Sequence, residues 1–389
     1  MNGWKEYKIL DAPFEIIDGD RGTNYPKQDE FSQNGYCLFL NAKNVTTDGF
    51  AFNECYFITK EKDKILRKGK LQRNDTILTT RGTVGNIGFF NERIPYENIR
   101  INSGMVIIRP DPKGILPEYT HQLFRYLKSD FDVFATGSAQ PQLPIRDLKE
   151  IIFLLPMLPE QRAIAGVLSS LDDKIDLLHR QNKTLEGMAE ALWRKMFVEE
   201  ADPGWRKGKL GDEMNIIMGQ SPPGNSYNED KQGTLFFQGR AEFGYRFPDA
   251  RLYCTEPKRY AKKYDTLVSV RAPVGDINMA FEDCCIGRGL AAVRHNKRFI
   301  SYTFYKIRSL KDEFDSFEQQ GTVFGSIGKD EFNGIDTFIV PERIIQEFEN
   351  NAKPIDDKIF ANSIQIRMLS RLRDTLLPKL MSGEVVVKV

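Results

Sequence analysis

The stretch Pro159–Phe197, PEQRAIAGVLSSLDDKIDLLHRQNKTLEGMAEALWRKMF, decides how the rest of the chain is organised. Its apolar residues recur at alternating spacings of four and three, interrupted only at Asn182: Ile164, Leu168, Leu171, Ile175, Leu178, Leu185, Ala189, Leu192 and Met196. Such a heptad seam is typical of a helix that packs lengthwise against a partner helix. At roughly 1.5 Å per residue, the 39 residues predict a rod of about 58 Å.

A second seam lies 184 residues further along the same chain and supplies the partner. It carries one Asn and one Arg among apolar residues: Phe348, Ala352, Ile355, Ile359, Asn362, Ile366, Leu369, Arg373, Leu376 and Leu380. The sequence itself repeats, since residues 171–175 (LDDKI) match residues 355–359 (IDDKI). We therefore predict two long helices that pair within the chain.

An antiparallel pairing in which residue numbers sum to 544 brings Asn182 opposite Asn362. A buried Asn pair fixes register and orientation at some cost in stability. In this register we expect Asp172 and Asp173 on the outside of the coiled coil. Pro354 has no counterpart in the first copy, so a kink or a restart of the second helix is expected near Asn350.

The composition is that of an ordinary globular protein. The chain has 389 residues, 41% of them hydrophobic, with a formal net charge of +1 and a mean hydropathy of -0.43. It contains no run of about 18 or more apolar residues and no apolar signal core at 1–5, so a cytoplasmic protein without a membrane segment is expected. Five cysteines without C-x-x-C spacing and three scattered histidines predict a reducing compartment and no metal site.

The whole chain is a tandem repeat. Residues 74–85 (NDTILTTRGTVG) return as 264–275 (YDTLVSVRAPVG), and further matches follow at offsets between 190 and 184. Strand-like runs alternate with turns in each copy, and one or two helices fit as well, which makes the globular parts α+β. The predicted fold is two globular domains related by a pseudo-twofold axis and joined by two long helices in an antiparallel intrachain coiled coil. The expected bounds are 1–157 and 201–341 for the globular domains, 158–200 and 342–382 for the helices, and 383–389 for a C-terminal tail.

Each copy begins with a loop rich in amide, hydroxyl and ring groups, at 18–25 (DGDRGTNY) and 219–227 (GQSPPGNSY). Asn and Gln side chains can read adenine edges in DNA, and loops this polar lie on the surface. Basic residues cluster before the shared strand in both copies, at 64–73 and 258–263, where they could contact DNA phosphates. A solvated charged face explains these clusters equally well, because acidic residues are interleaved.

Arg81 and Arg271 each follow the shared strand and precede a turn that contains Gly or Pro. An arginine can form a bidentate contact to guanine, although bracing of the turn is at least as good an explanation. The residues expected to contact DNA include members of these loops, clusters and turns together with polar residues elsewhere in both copies: Arg21, Thr23, Asn24, Tyr25, Lys43, Asn44, Lys68, Arg81, Thr83, Gln140, Gln220, Ser221, Asn225, Tyr227, Arg240, Arg271 and Thr322.

No enzyme signature is present in the sequence. We find no glycine-rich cofactor loop after a strand, no P-loop and no H-E-x-x-H motif. Residues 221–224 (SPPG) only faintly resemble the Asn/Asp-Pro-Pro-aromatic motif of amino-methyltransferases, because both outer positions differ. The acid pair Asp18 and Asp20 has no nuclease-type lysine nearby. We therefore expect no catalytic residue and no bound cofactor in this chain.

Over its whole length the chain closely resembles the specificity subunit of type I restriction-modification systems. The most specific parts are the helix 159–197 with its LPEQR start at 158–162, the segments 18–26 and 38–45, and the segment 137–156. The second copy departs from the pattern by a weaker helix start at 341–346 (PERIIQ), and by Pro354 and Arg373.

The resemblance implies that each globular domain is a target-recognition domain that reads one half of a bipartite, asymmetric DNA sequence. It implies that the paired helices act as a ruler between the halves. The implied partners are double-stranded DNA, two methyltransferase subunits and restriction subunits, with S-adenosylmethionine, ATP and Mg on those partners and no membrane. Two other interpretations remain open from the residues alone: a coiled-coil scaffold without DNA readout, and a stand-alone DNA methyltransferase.

Overall fold

A computed structural model describes residues 3–47, 49–137, 141–320 and 325–387 of the chain. The chain divides into two compact units. The first unit comprises Met1–Leu177 with Gln365–Val389, and the second comprises Leu178–Ile364. Each unit therefore contains one globular part and a section of both long helices.

The first globular part consists of short strands with a few helices. Its strands are β1 Lys5–Lys8, β2 Phe14–Asp18, β3 Cys37–Leu40, β4 Val45–Thr46, β5 Gly49–Phe50, β6 Phe57–Ile58, β7 Thr76–Thr79, β8 Ile87–Phe89, β9 Ile99–Ile101, β10 Met105–Pro110 and β11 Ile152–Leu155. Its helices are α1 Lys60–Ile65, α2 Pro117–Tyr126, α3 Lys128–Phe134 and α4 Ile145–Leu148. The first long helix, α5, covers Leu158–Arg194 and continues into a π-helical turn, Lys195–Glu199.

The second globular part repeats this composition. Its strands are β12 Arg206–Lys209, β13 Met214–Met218, β14 Tyr227–Asn228, β15 Thr234–Phe237, β16 Leu252–Cys254, β17 Tyr260–Ala261, β18 Thr266–Ser269, β19 Ile277–Met279, β20 Cys284–Ile286, β21 Leu290–His295 and β22 Asp336–Ile339. Its helices are α6 Leu210–Glu213, α7 Ile300–Ser309, α8 Lys311–Gln320 and α9 Lys329–Asn333, followed by the second long helix, α10 Glu342–Met381.

The main sheet and the terminal ribbon have the same topology in both units, which confirms the predicted repeat, whereas the second sheets differ in their strand order. The main sheet is antiparallel, with strand order β2-β10-β7-β8 in the first unit and β13-β21-β18-β19 in the second. A second sheet contains one parallel pair in each unit, β3 with β9 and β15 with β20. A two-stranded ribbon, β1-β11 or β12-β22, pairs the beginning of each globular part with its end.

The repeated Asp-Thr sequence has a structural role in both copies. Asp75 is buried and accepts two hydrogen bonds from Arg109, at 2.7 and 3.0 Å. Asp265 is buried in the same way and pairs with Arg294. A buried carboxylate is stable only when it is paired and hydrogen-bonded, so each copy needs both partners. The repeat of this motif reflects the fold rather than DNA contact.

In the first unit, sections of the two long helices pack on the globular part. Ile164 and Leu168 of α5 share one apolar core with Leu377 and Leu380 of α10 and with the buried face of the main sheet. These residues are seam positions or lie beside them. The seam residues therefore contribute to the core of the globular part as well as to the contact between the two helices.

One expectation for this region is wrong. Asp172 does not lie on the outside of the coiled coil, because its carboxylate accepts hydrogen bonds from Gln122 and Arg125 of α2, each at 2.8 Å, and from Arg373 at 3.1 Å. Asp173 is exposed, as expected. The seam pattern defines the helix–helix face but does not reveal which flank a globular part will cover.

In the second unit the helix sections run antiparallel. The Asn362 side chain donates to Asn182 Oδ1 at 2.9 Å, and both residues are 1% exposed. Further along, the Trp193 ring meets the Phe348 ring at a centroid distance of 5.4 Å. Residue numbers rise along α5 while they fall along α10, as the register summing to 544 predicts.

The second helix does not restart near Asn350, because α10 runs unbroken through Pro354. Pro354 cannot donate a hydrogen bond to the carbonyl of Asn350, but both residues are exposed, so water can satisfy that group. Ala352 and Ile359 on the opposite face are buried in the core of the second unit, and this packing offsets the missing hydrogen bond. Packing overrides the local effect of the proline.

The two long helices begin with different polar contacts. The buried Gln161 accepts from the N–H of Leu116 at 2.9 Å and donates to the carbonyl of Pro156 at 2.9 Å. The corresponding position in the second copy is Ile345. There Glu349, one turn later, accepts from the first three N–H groups of α7, at 2.9, 3.2 and 2.9 Å. These N–H groups have no partner inside their own helix, so the carboxylate caps it. The weaker helix-start motif of the second copy therefore coincides with a different polar contact at the start of the helix.

Candidate DNA interface

In the first unit, four connections meet at one edge of the main sheet. Because the sheet is antiparallel, β2 and β7 end where β10 and β8 begin, which brings together residues 19–26, 80–86 and 102–104. Strand β3 runs parallel to β9, and the N–H of Asn102 bonds to the carbonyl of Leu40 at 3.2 Å, which adds residues 41–45. These four connections are termed the first loop edge.

The second unit contains an equivalent second loop edge. It consists of residues 219–227, 238–243, 270–276 and 287–289, which follow or precede the equivalent strands. The N–H of Gly287 bonds to the carbonyl of Phe237 at 2.8 Å and joins the main sheet to the second sheet. Each unit thus gathers its polar loops on one side.

A glycine holds the first polar loop against each edge. A Cβ atom on Gly19 would lie 2.2 Å from the carbonyl oxygen of Asn102, and one on Gly219 would lie 2.1 Å from that of Gly287. No side chain fits at that distance, so only glycine permits this approach. The two loops therefore leave their strands at the same place and in the same way.

Most candidates of the first unit lie exposed on or beside the first loop edge. This set comprises Arg21, Thr23, Asn24, Lys43, Lys68, Arg81 and Thr83. Arg21 donates to Asp18 at 3.2 Å and to the carbonyl of Ser103 at 3.3 Å, and Lys43 pairs with Glu54 at 3.2 Å. Gln140 lies outside the described residues. The structure brings these positions to one surface, where they stay candidates for DNA contact.

Asp20 fastens the loop of Lys68 to this edge. Its carboxylate accepts from the backbone N–H groups of Gly22 at 2.7 Å, Arg67 at 2.6 Å and Lys68 at 3.4 Å. Burial alone would raise the pKa of Asp20, but these hydrogen bonds favour the ionised form and hold the pKa below its usual value. The acid pair Asp18 and Asp20 thus supports the loop.

Asn44 does not fit the expectation of a DNA contact. Its side chain is 1% exposed and donates to the carbonyls of Ala51 at 3.0 Å and Glu54 at 2.8 Å. Its oxygen accepts from the N–H of Asn41 at 3.0 Å. With its amide engaged on all sides, Asn44 shapes the loop and is unavailable to a base. Tyr25 is half-buried, with its ring edge-on to Phe39.

Two members of the basic segment 64–73 are occupied within the fold. Arg73 donates to the carbonyls of Asn91 at 2.6 Å and Ile94 at 3.1 Å. Lys70 pairs with the buried Asp63 at 2.5 Å. These contacts favour bracing over phosphate contact for Arg73 and Lys70, whereas Lys68 remains exposed.

The candidates of the second unit lie on the second loop edge. Gln220, Asn225, Arg240 and Arg271 are exposed, and Ser221 accepts from the N–H of Arg288 at 3.3 Å. Tyr227 is half-buried: its ring stacks on Phe236 at 4.8 Å, and its hydroxyl donates to the carbonyl of Pro222 at 2.9 Å. Tyr227 therefore supports the loop. Thr322 lies outside the described residues.

Arg240 has a bracing partner at the second loop edge. Its guanidinium forms an ion pair with Asp276 in the turn after β18. Asn86 is the counterpart of Asp276 in the first unit, and its side chain donates to the carbonyl of Val45 at 2.9 Å. In both units the side chain at this position ties the turn of the main sheet to the connection that follows a strand of the second sheet. Arg240 can contact DNA only in competition with Asp276.

Arg288 and Gln238 were missed as candidates. Both are exposed on the second loop edge. The repeat alignment of Gly287-Arg288-Gly289 with Asn102-Ser103-Gly104 was the available signal, but a tripeptide between distant motifs does not show which strands it joins. Only the strand register places it beside Arg271.

Two further findings concern the described residues as a whole. They contain no group of three His, Cys, Asp or Glu side chains placed to hold a metal ion. None of the helices in the described ranges combines the length and the hydrophobicity needed to span a bilayer.

Comparison with known proteins identifies the family. Residues 1–187 match the type I restriction modification DNA specificity domain. A Methanocaldococcus jannaschii protein, assigned as the specificity subunit of type I restriction enzyme MjaX, is 33% identical over 305 residues, or 73% of this chain and 72% of the relative. The chain belongs to the type I restriction enzyme specificity subunits. Its part in such a system is recognition of the DNA target, so the resemblance drawn from the sequence is confirmed.

Other relatives match this specificity subunit along most of their length. The HindI specificity subunit of Haemophilus influenzae is 21% identical and covers 99% of this chain and 100% of its own. The crystal structure of a type I S subunit from M. genitalium has a TM-score of 0.59 at 16% identity, covering 97% of this chain and 96% of its own. This likeness confirms the fold class.

Proposed function

We propose that this specificity subunit reads a bipartite, asymmetric DNA target, with one loop edge for each half. The observation that carries the proposal is the repeated loop edge itself. The same four connections meet in both units, yet equivalent positions differ, such as Ser103 and Arg288. A repeated scaffold with different surface side chains suits two different half-sites.

We also propose that the long helices set the gap between the half-sites. In a coiled coil, a buried polar layer opposes slippage because a shifted register would leave amides unpaired. The pair Asn182 and Asn362 is such a layer. A fixed register supports a fixed spacing between the bases that the subunit recognises.

We propose that chemistry resides in partners and that this chain is not an enzyme. The partners would be two methyltransferase subunits, which bind S-adenosylmethionine, and restriction subunits, which use ATP and Mg. The internal repeat supports two equivalent docking surfaces, since two copies of one fold present two similar faces to two identical partners.

The test is a domain exchange read out by methylation. The chain is co-expressed with its methyltransferase subunit, and methylated bases are mapped across the genome by long-read sequencing. We expect a two-part motif with a fixed gap. Replacing residues 1–157 with the equivalent segment of another specificity subunit should change one half of the motif and leave the gap and the other half intact.

The control is an exchange of residues 201–341 in the same chain, which should change the other half only. A motif in which both halves change together after either exchange would contradict the proposal. Methyl transfer by the purified chain without any partner would overturn the assignment of chemistry to other subunits.

A further inference from the structure

Two arginines, Arg271 and Arg288, lie on adjoining connections of the second loop edge. Strands β18 and β21 pair Ser269 with Leu290, and the N–H of Val270 bonds to the carbonyl of Gly289 at 2.9 Å. Arg271 follows Val270 directly, and Arg288 lies in the turn that the N–H of Leu290 closes on the carbonyl of Gly287 at 3.0 Å. Both arginines are exposed, on connections that the hydrogen bond between Val270 and Gly289 brings together.

These two arginines are not neutralised by the protein. In the part of the chain that the structure describes, neither guanidinium has a hydrogen bond or an ion pair. The acid of the turn, Asp276, is already paired with Arg240. The pair is suited to an external group that accepts hydrogen bonds.

The backbone around Arg288 is held in place on both sides. A Cβ on Gly287 would lie 2.9 Å from Cα of Gln238, and one on Gly289 would lie 2.8 Å from the Gln238 carbonyl oxygen. The N–H of Arg288 itself donates to Ser221 Oγ at 3.3 Å. Arg288 therefore lies in a closely packed loop. Such preorganisation of the backbone favours specific recognition over non-specific electrostatic attraction.

The first unit differs at this pair. Its register pairs Met105 with Thr79, and the N–H of Thr80 bonds to the carbonyl of Gly104 at 2.7 Å. Arg81 is the counterpart of Arg271 in the repeat, but Ser103 lies where the second unit has Arg288. A contact that only neutralised phosphate would be useful to both units, since every half-site has the same backbone. Arg288 has no arginine counterpart in the first unit. Its presence in one unit only is therefore better explained by the bases, which differ between the half-sites.

We propose that Arg271 and Arg288 recognise guanine in the half-site read by the second unit. The guanidinium fork matches the N7 and O6 acceptors of guanine in the major groove, and lysine cannot reproduce that bidentate contact. This inference rests on the proposed function and adds the base and the residues to it. Arg81 would supply one such contact in the first unit.

The experiment uses the complex co-expressed with its methyltransferase and compares single variants by long-read mapping of methylation. Arg271→Lys and Arg288→Lys keep the charge but lose the fork, and Arg271→Ala and Arg288→Ala lose both. Arg298→Ala is the matched control, because Arg298 is exposed beyond the opposite end of β21. At each position of the second half-site, the discrimination is the ratio of the methylation rates at sites with G·C and at sites with A·T.

We expect each Lys and Ala variant to lose roughly 5- to 150-fold of discrimination for guanine at one position of the second half-site. The first half-site, the gap and the control should be unchanged, and the intact first half shows that the variant folds. Full specificity in the Lys variants, or an equal loss of methylation at all sequences, would overturn guanine recognition in favour of phosphate contact. So would a wild-type second half-site without G·C pairs. Absence of any two-part motif in the wild type would instead refute the proposed function.

Discussion

The two units repeat the main sheet and an acid at the junction with the long helices, but a different element of each globular part supplies the arginine that this acid binds. In the first unit an acid of α5, Asp172, receives donors from α2 and from Arg373. In the second unit the equivalent acid, Asp356 of α10, accepts from Arg246 of the segment between β15 and β16 at 2.5 Å, and Arg246 also donates to Glu186 of α5 at 3.1 Å. A repeated acid therefore does not require a repeated partner.

The two anchors also differ in burial. The Asp172 side chain is 26% exposed, whereas that of Arg246 is 1% exposed and its guanidinium carbon lies 3.3 Å from the centre of the Phe304 ring. Removing one member of a buried ion pair leaves the other charge without water or partner. The second anchor should therefore be far more sensitive to substitution than the first.

The largest effect is expected for Arg246→Ala. It leaves Asp356 buried without its cation, while Glu186 keeps Arg308 at 2.8 Å, and we expect a loss of about 3–5 kcal/mol in the free energy of unfolding. Urea denaturation followed by the fluorescence of Trp193 and Trp205, which lie in the core of this unit, measures it. Arg206→Ala is the control: this exposed arginine pairs with the exposed Asp212 at 4.0 Å and should cost less than about 1 kcal/mol. Equal losses of unfolding free energy in both variants would contradict the expected difference between a buried and an exposed ion pair.

An intermediate effect is expected at the polar layer of the second unit. Asn182→Leu leaves the Asn362 amide buried without its partner, which should cost roughly 1–3 kcal/mol. The double variant Asn182→Leu with Asn362→Leu should regain most of that loss, because both polar groups are gone. Urea denaturation of the three proteins measures the coupling. A double variant no more stable than the single one would show that the amides do not act as a pair.

The smallest effect is expected for Asp172→Asn in the first unit, about 1 kcal/mol at pH 7. Burial alone would raise the pKa of Asp172, but Arg125, Gln122 and Arg373 stabilise its charge and hold the pKa below the usual value. The stabilisation is therefore present above the unfolded pKa of about 3.9 and is lost as the pH falls through the lower folded pKa. Denaturation midpoints of both proteins should converge on acidification. A difference that grows at low pH would contradict this assignment.

The long-range organisation was readable from local patterns. The heptad seams, the text repeated 184 residues apart and the two Asn positions predict paired helices and their register, because side-chain spacing on a helix depends only on the local sequence. The polar loops were recognisable for a similar reason, since glycine-rich polar segments cannot enter a core. Both features are consequences of residues close together in the chain.

The functional surface required more than these patterns. Asn44, Arg240 and Arg288 carry equally suitable groups in the sequence, yet the first is buried, the second is paired with Asp276 and the third is free within the described residues. Likewise, Asp172 proved to be an anchor instead of a solvated acid. Which polar group is available depends on partners tens to hundreds of residues away, and strand register decides those partners. The sequence by itself determined the repeat and the helix pair; the tertiary structure alone decided which side chains remain to meet DNA, because hydrogen-bond and ion-pair partners are set by contacts between distant segments.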